Sequence, residues 1–184
     1  MTPPRLGLDT ATPYLALALW WPDDGRVARA SERVDRALEV RLAAAVAAFL
    51  DEHGVAIANL GGIGVGRGPG SYTGARVGVA FALGLARARG LRVVGGASDA
   101  ARAAAVLADG ASGWIAVEAR RGTARASRWS RQGAVLVPHE ALEPLPVDAL
   151  PEGAAATLAV APDAARHARA VDDPDAPAPG VRYA

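Results

Sequence analysis

The stretch Gly61-Gly-Ile-Gly-Val-Gly-Arg-Gly-Pro-Gly-Ser-Tyr-Thr-Gly-Ala-Arg76 holds seven of the 21 glycines in the chain. Its first part, residues 62–65, is typical of a short buried strand, and residues 77–88 have the composition of a helix. Four glycines between these two elements allow positive φ angles, whereas Pro69 restricts φ and lacks an N–H donor. The pattern therefore predicts a strand, a tight loop and a helix in succession.

The loop between this strand and helix has two interpretations. Ser71 or Thr73 can cap the helix, which leaves free N–H groups and the positive end of the helix dipole at the loop, as an anion requires. The Walker A spacing is absent, because Pro69 stands at its first glycine position and Ala75 at its lysine position. A structural turn and a ligand loop both stay open. This glycine-rich loop comprises Arg67, Gly68, Pro69, Gly70, Ser71, Tyr72, Thr73, Gly74 and Arg76.

The composition is that of a compact protein without a strong charge. The chain has 184 residues and a net charge of +1, so it can bury its own core and offers no electrostatic argument for a nucleic-acid binder. It has no Cys, which excludes disulfides, Cys-based zinc sites and cysteine nucleophiles. Neither a signal-peptide pattern nor an apolar run of about 18 residues is present. We therefore expect a cytoplasmic protein with no membrane segment.

The first half of the chain predicts the element order βββαβαβα. Alternating apolar residues and turn signals separate three strands, and helical periodicity alternates with two further short strands. Ser98 is the expected cap of the last helix. The predicted strands are 5–9, 14–21, 27–34, 62–65 and 91–94, and the predicted helices are 36–53, 77–88 and 99–107.

The second half resembles a shorter repeat of the first. A strand at 115–118 ends in Glu118, as the first strand ends in Asp9, and a turn at 120–122 leads to two more strands at 123–129 and 134–137. After a proline-rich segment, the pattern predicts a strand at 157–160 and a short helix at 163–170. The repeat divides the chain into units of 1–110 and 111–171, followed by a loose tail of 172–184.

Two predicted helices lack a polar outer face. Residues 42–50 and 77–86 contain no charged or polar side chain. They consist only of Ala, Val, Leu, Gly and Phe. Either the outer methyl groups are simply exposed, or both helices pack against a second chain. The second interpretation places Val40, Ala43, Ala47, Leu50, Gly78 and Ala82 in a partner interface.

Three motifs resemble those of the TsaB (YeaZ) family. They are the turn Asp9-Thr-Ala-Thr12, the loop Gly66-Arg-Gly-Pro-Gly-Ser-Tyr-Thr-Gly-Ala-Arg76 and the turn Glu118-Ala-Arg-Arg-Gly122. The likeness extends from Arg5 to about Gly122, and it departs from the family pattern at Tyr72, where Phe is usual. The family is the non-catalytic subunit of the bacterial machinery that makes N6-threonylcarbamoyladenosine in tRNA.

The resemblance implies a fold, partners and a role. The fold is the duplicated, actin-like and Hsp70-like α/β fold, here with RNase H-like units and a truncated second domain. The family subunit is a non-catalytic scaffold that pairs with the catalytic subunit TsaD through its first two helices, or with itself when alone. The ATPase TsaE joins that pair, and tRNA is bound only within the complex. Positions 36–50 and 75–88 correspond to the family's interface helices.

The same fold also includes phosphotransferases, which gives an alternative. In those enzymes a glycine-bearing loop after the first strand binds phosphate, whereas here Asp9 is followed by Thr10 and no glycine. Asp9, Thr10 and Glu118 are therefore expected to be vestigial phosphate-loop positions. The three histidines have no ligand spacing, so we expect neither metal nor cofactor. A pseudo-enzyme scaffold is favoured over a stand-alone nucleotide-dependent phosphotransferase.

Overall fold

A computed structural model describes residues 1–120 and 122–180, with the backbone alone for Arg36. Five strands of the first half are β1 (Arg5–Asp9), β2 (Tyr14–Trp20), β3 (Val27–Arg33), β4 (Gly62–Gly66) and β5 (Val93–Gly96). They form one sheet in the order β3-β2-β1-β4-β5. The pairs β1–β2 and β2–β3 are antiparallel, and β1–β4 and β4–β5 are parallel. The meander followed by two parallel strands is the arrangement that the element order predicts.

Three helices alternate with these strands: α1 (Leu38–Glu52), α2 (Tyr72–Arg89) and α3 (Ser98–Val106). A short 3-10 helix, Asp35–Ala37, precedes α1, so the predicted helix start at 36 falls within that turn. Helix α2 begins five residues before the predicted position 77, because Ser71 caps it. The cap of α3 is Ala97 rather than Ser98, because the Ser98 hydroxyl accepts a hydrogen bond from the Gly68 N–H instead.

The second half forms a smaller sheet. Its elements are β6 (Ser112–Glu118), β7 (Thr123–Gln132), β8 (Val135–Ala141), β9 (Leu145–Pro146) and the helix α4 (Ala165–Ala170). The antiparallel order is β6-β7-β8, and β9 also pairs with β7. The strand predicted at 157–160 is wrong, because residues 155–159 form a 3-10 helix. There the Thr157 hydroxyl accepts a hydrogen bond from the Ala116 N–H of β6, at 2.8 Å.

The first sheet has two chemically different faces, which follow from the alternation Gly-Ile-Gly-Val-Gly in β4. Ile63 and Val65 point to one face, beside Leu6 and Leu8 of β1, and all four side chains are fully buried. Helices α1 and α2 pack on this face and complete the main core. Burial of each such side chain stabilises the fold by about 1.5–3 kcal/mol.

The opposite face of β1 and β4 has glycine at four positions, between the side chains of Arg5 and Asp9 at the two ends of β1. We call it the glycine face, formed by Gly7, Gly62, Gly64 and Gly66. Helix α4 lies on this face at backbone contact distance, since a Cβ on Gly64 would overlap the carbonyl of His167. A Cβ on Gly7 would overlap the carbonyl of Ala164 in the same way. Only glycine at these positions permits the approach.

Each sheet receives a helix from the other half of the chain. Helix α4 packs against β1, β2, β4 and β5 of the first sheet, whereas α3 packs against β6, β7 and β8 of the second. The division of the chain into units of 1–110 and 111–171 stays a prediction. Each of these units contributes one helix to the core of the other. Helix α3 of the first half covers the second sheet, and α4 of the second half covers the first sheet. Unfolding of one half would therefore expose the core of the other.

The segment after α4 is held to the first sheet as far as residue 177. Arg5 forms an ion pair with Asp172 at 2.8 Å, and the Arg92 guanidinium donates to the carbonyl of Asp173 at 2.6 Å. The Gly95 N–H of β5 donates to the carbonyl of Pro177 at 2.8 Å. These contacts lie within the expected loose tail, of which residues 181–184 are outside the described residues, as is Arg121 of the predicted turn.

The close contact between α4 and the glycine face predicts how a substitution at this face changes the free energy of unfolding. Gly64→Ala is expected to destabilise the protein by about 1–3 kcal/mol or more, because the methyl group must displace the α4 backbone. Gly84→Ala is the matched control, since Gly84 lies in α2 with open space around its Cβ position. That variant should be neutral or more stable by about 0.5–1 kcal/mol. Urea unfolding of both variants measures the difference, and equal midpoints would contradict the packing described for α4.

Candidate functional site: the glycine-rich loop and the Asp9 turn

The glycine-rich loop connects the end of β4 to the start of α2. The Ser71 Oγ accepts a hydrogen bond from the Gly74 N–H at 3.1 Å, so Ser71, one of the two predicted caps, is the cap of α2. Gly68 and Gly70 have φ angles of 89° and 143°, and the peptide bond between Gly68 and Pro69 is cis. A Cβ on Gly70 would also overlap the carbonyl of Ala11. Glycine is therefore required at position 70 both for its φ angle and for the space that it leaves.

Hydrogen bonds join this loop to the turn that follows β1. The Ser71 N–H donates to the Ala11 carbonyl at 2.6 Å, and the Thr10 hydroxyl donates to the Gly74 carbonyl at 2.8 Å. A Cβ on Gly78 would overlap that same Thr10 hydroxyl, so the first turns of α2 lie directly on the β1 turn. Thr10 thus connects β1 to α2 from a fully buried position.

The other side of the loop binds the start of α3. The Gly68 N–H donates to the Ser98 hydroxyl at 3.1 Å, and the Ser98 N–H donates to the Gly68 carbonyl at 3.0 Å. The Arg67 N–H donates to the Gly96 carbonyl at 2.9 Å. Together with Ser71 and Gly74, these loop amides bind groups of the chain itself. They are not available to an anion, which favours the structural turn over the ligand loop.

The Asp9 carboxylate lies under the loop and is fully buried. One oxygen accepts from the Ala11 N–H at 2.9 Å, and the other is 2.8 Å from the His167 Nε2 of α4. A Cβ on Gly66 would overlap this carboxylate, so the last glycine of β4 leaves the space that it occupies. The pair is closed to solvent on both sides, because His167 is only 1% exposed.

Sequence reasoning missed His167 as the partner of Asp9. The two residues are 158 positions apart, and His167 stands alone in an Arg- and Ala-rich helix with no motif around it. The other two histidines lie elsewhere: His53 packs edge-on against Trp21 and Phe49, and His139 is 2.8 Å from the Ser130 hydroxyl. Nothing in the sequence pattern distinguishes these three histidines from one another.

Glu118 does not join Asp9. It lies at the end of β6 and is 3.2 Å from the Nη1 of Arg102, a fully buried residue of α3 that also donates to the Ala116 carbonyl. The two acids that the sequence repeat places in parallel thus have different partners, a histidine and an arginine. In the described ranges, 1–120 and 122–180, no group of three or more His, Asp and Glu residues is arranged to hold a metal ion.

The hydroxyl groups of the two turns border a small cavity of about 290 Å³. Thr10, Thr12, Ser71 and Thr73 line it, together with Gly74, and the carboxylates of Asp35 and Glu39 and the side chain of Leu38 complete the wall. The two carboxylates in the wall would repel a phosphate, although the N-terminus of α2 would attract one. The cavity therefore adds no argument for a phosphate ligand.

The expected partner interface is divided by the structure. Three of its residues, Leu50, Gly78 and Ala82, are buried within the chain, which corrects the prediction that they face a partner. The small residues of α2 face the sheet, where a bulkier side chain would meet Thr10 and Leu8. The exposed apolar positions of these two helices include Val40, Ala43, Ala47, Tyr72 and Leu83, which we call the α1–α2 surface.

Comparison with known proteins identifies the family. The family model described as "TsaD: tRNA N6-adenosine threonylcarbamoyltransferase" matches residues 31–136, more than half of the chain. The tRNA threonylcarbamoyladenosine biosynthesis protein TsaB of Escherichia coli (strain K12) is 37% identical over 90 residues, which are 49% of this chain and 38% of that protein. The chain belongs to the TsaB/YeaZ family. The match spans well under half of the length of the E. coli relative.

Solved structures of this family have the same fold. YeaZ from Pseudomonas aeruginosa superposes with a TM-score of 0.68 at 28% identity, over 82% of this chain and 71% of that chain. A crystal structure of an uncharacterized protein with similarity to peptidase YeaZ from Pseudomonas aeruginosa gives the same TM-score and identity, over 82% and 70%. The predicted actin-like α/β fold is therefore confirmed. None of the helices in the described part of the chain is long and apolar enough to cross a membrane.

The loop geometry predicts a large cost for a side chain at position 70. Gly70→Val should destabilise the protein by a few kcal/mol, because it combines a positive φ angle with a clash against Ala11. Gly25→Val is the matched control, since Gly25 also has a positive φ angle of 71° but no atom near its Cβ position. Thermal melting compares the two. If both variants lose equal stability, the contact with the β1 turn contributes nothing.

Proposed function

We propose that this chain is a non-catalytic subunit of the machinery that forms threonylcarbamoyladenosine in tRNA, and that it acts by pairing with the catalytic subunit TsaD. The observation that carries the proposal is the α1–α2 surface, an apolar surface on the two helices that correspond to the family's interface. Val40 is 82% exposed and Leu83 45% exposed, although both are large apolar residues of well-formed helices. Exposed apolar residues on adjoining elements are typical of a protein interface.

The Asp9 turn supports a non-catalytic role. In a phosphotransferase of this fold, the acid after the first strand has to face a metal ion or a phosphate. Here Asp9 is fully buried, and His167 and the Ala11 N–H occupy its carboxylate oxygens. Four amides of the glycine-rich loop, those of Arg67, Gly68, Ser71 and Gly74, are also engaged within the chain. These contacts argue against the alternative of a stand-alone phosphotransferase.

The description of the matching family model names a transferase, so that activity is a second candidate for this chain. The resemblance places the metal-binding histidines of the family in TsaD. The three histidines of this chain contact an aromatic pair, a serine and an aspartate in separate places. We therefore assign the transfer step to TsaD. In this proposal TsaE and tRNA join the pair, the chain forms a homodimer when alone, and the complex works in the cytoplasm.

The first prediction of this proposal concerns pairing. Ala43→Glu should weaken binding to TsaD and abolish the homodimer, because an unpaired carboxylate would have to be desolvated in the interface. Ala43 is exposed on α1, so the monomer should fold normally. Ala156→Glu, an exposed position in the second half of the chain, is the control. Light scattering after size-exclusion chromatography, alone and with TsaD, measures both equilibria.

If Ala43→Glu pairs with TsaD and with itself as strongly as Ala156→Glu and the parent chain do, this prediction is wrong. Gly78→Arg is unsuitable for the same purpose, since Gly78 is buried against Thr10 and the substitution would damage the fold itself. Val40→Glu provides an independent second test on the same surface, because Val40 is a large apolar residue of α1 that is 82% exposed.

The second prediction concerns activity. The isolated chain should neither hydrolyse ATP nor modify tRNA, whereas addition of TsaD and TsaE should give threonylcarbamoylation of the same tRNA. Phosphate release and mass spectrometry of the digested tRNA measure the two reactions. Omission of this chain from the complete mixture is the control. Sustained turnover by a preparation free of the other subunits would show that the chain is an enzyme.

A further inference from the structure

One edge of the second sheet is closed by side chains rather than by a strand. In the first half, β1 pairs with β2 on one side and with the parallel strand β4 on the other. Strand β6 takes the place of β1 in the sequence repeat, and among the strands of the described ranges it pairs with β7 alone. On its other side β6 packs against the 3-10 helix Ala155–Ala159. We call this side of the strand the free β6 edge.

Two buried side chains bind the backbone of Ala116 at the free β6 edge. The Thr157 hydroxyl accepts a hydrogen bond from the Ala116 N–H at 2.8 Å and donates to the Ala154 carbonyl at 2.7 Å. The Arg102 Nη1 donates to the Ala116 carbonyl at 2.6 Å. Thr157 is only 5% exposed, and Arg102 is fully buried. A hydroxyl and a guanidinium thus bind the main-chain groups that a neighbouring strand would otherwise bind.

The same edge carries further main-chain groups that are open. Alternate residues of an antiparallel strand direct their N–H and C=O groups to the same side. Because these groups of Ala116 point away from β7, those of Trp114 and Glu118 do so as well. Within residues 1–120 and 122–180, no hydrogen bond joins the backbone of Trp114 or Glu118 to a group on this side. An edge with open N–H and C=O groups is a template for a further strand.

Arg102 brings additional hydrogen-bond donors to the free β6 edge. Its Nη1 is 3.2 Å from the Glu118 carboxylate, whereas its Nε and Nη2 are buried without a hydrogen-bond partner in the described part of the chain. Buried donors without acceptors cost free energy. Because the guanidinium already lies beside the Ala116 carbonyl, a strand added at this edge would bring carbonyl acceptors next to it.

We propose that the free β6 edge is a pairing surface for β6 of a second copy of this chain, and that Thr157 and Arg102 keep this surface closed. The outward-directed positions 114, 116 and 118 are self-complementary. In an antiparallel pair centred on Ala116, the Ala116 residues of the two copies lie opposite each other, and Trp114 of one copy lies opposite Glu118 of the other. A second copy fits because a twofold axis gives both strands the same open groups. The proposal is independent of the pairing with TsaD.

A synthetic peptide with the β6 sequence, residues 112–118, tests the proposal on the purified full chain. The labelled peptide takes the place of the second copy, so pairing through the α1–α2 surface does not affect the readout. Thr157→Val removes the hydroxyl that binds the Ala116 N–H, and fluorescence anisotropy should show binding at least about tenfold tighter than that of the parent chain. Thr157→Ser retains a hydroxyl and is the matched control, which should bind the peptide as weakly as the parent.

Association of the whole chain provides a second readout. In the Ala43→Glu background, Thr157→Val should raise the mass measured by light scattering from one chain to two, whereas Thr157→Ser should leave it unchanged. If the Ala43→Glu chain is already a dimer, the assignment of the homodimer to the α1–α2 surface is wrong, and the peptide measurement still decides the present proposal.

Three results would overturn the proposal. The first is equal peptide affinity of Thr157→Val and Thr157→Ser. The second is equal affinity for a peptide with Ala116→Pro, because proline lacks the central N–H of the pair. The third is a Thr157→Val chain that stays monomeric while its Trp114 and Glu118 amides become protected, since residues 157–160 would then have paired with β6 themselves.

Hydrogen exchange of the parent chain tests the state of the edge without any substitution, and it decides the matter if Thr157→Val does not fold. The Ala116 amide should exchange more slowly than the amides of Trp114 and Glu118, because only the Ala116 N–H has an acceptor on this side. Equal protection of all three amides would show that the edge is already covered, and the pairing surface would not exist.

Discussion

Backbone contact between α4 and the glycine face is the constraint on which the rest of this structure depends. Gly7 and Gly64 are paired neighbours in β1 and β4, and they let the α4 backbone lie directly on the sheet. No layer of side chains separates the two elements, so their distance is fixed by main-chain atoms. The second half of the chain is thereby held to the first by a helix that leaves little freedom to slide.

This contact also determines the chemistry of the Asp9 turn. A helix at such short distance brings His167 to the end of β1, where Gly66 and Gly96 leave space for the imidazole and the carboxylate. Burial of an acid costs free energy unless it is hydrogen-bonded, and Asp9 is hydrogen-bonded through both oxygens. The acid thus holds the turn, the glycine-rich loop and α4 together. The same arrangement removes the free carboxylate that phosphotransfer chemistry would need.

The outer side of α1 and α2 differs in physical character from the glycine face. The α1–α2 surface carries exposed apolar side chains and belongs to helices whose other side forms the main core. In the proposed function, a partner chain covers this surface.

The sequence by itself determined the element types and their order in the first half, the two candidate caps of α2 and the family, because these depend on local periodicity and on a contiguous motif. Tertiary structure alone decided that Leu50, Gly78 and Ala82 are buried, that residues 155–159 form a turn of helix, and that His167 meets Asp9. Helical periodicity cannot show which of two apolar faces lies on the sheet, since both faces of α1 and α2 are apolar. The pairing of His167 with Asp9 depends on a helix that crosses from the second half to the first, and no local pattern encodes a contact over 158 residues.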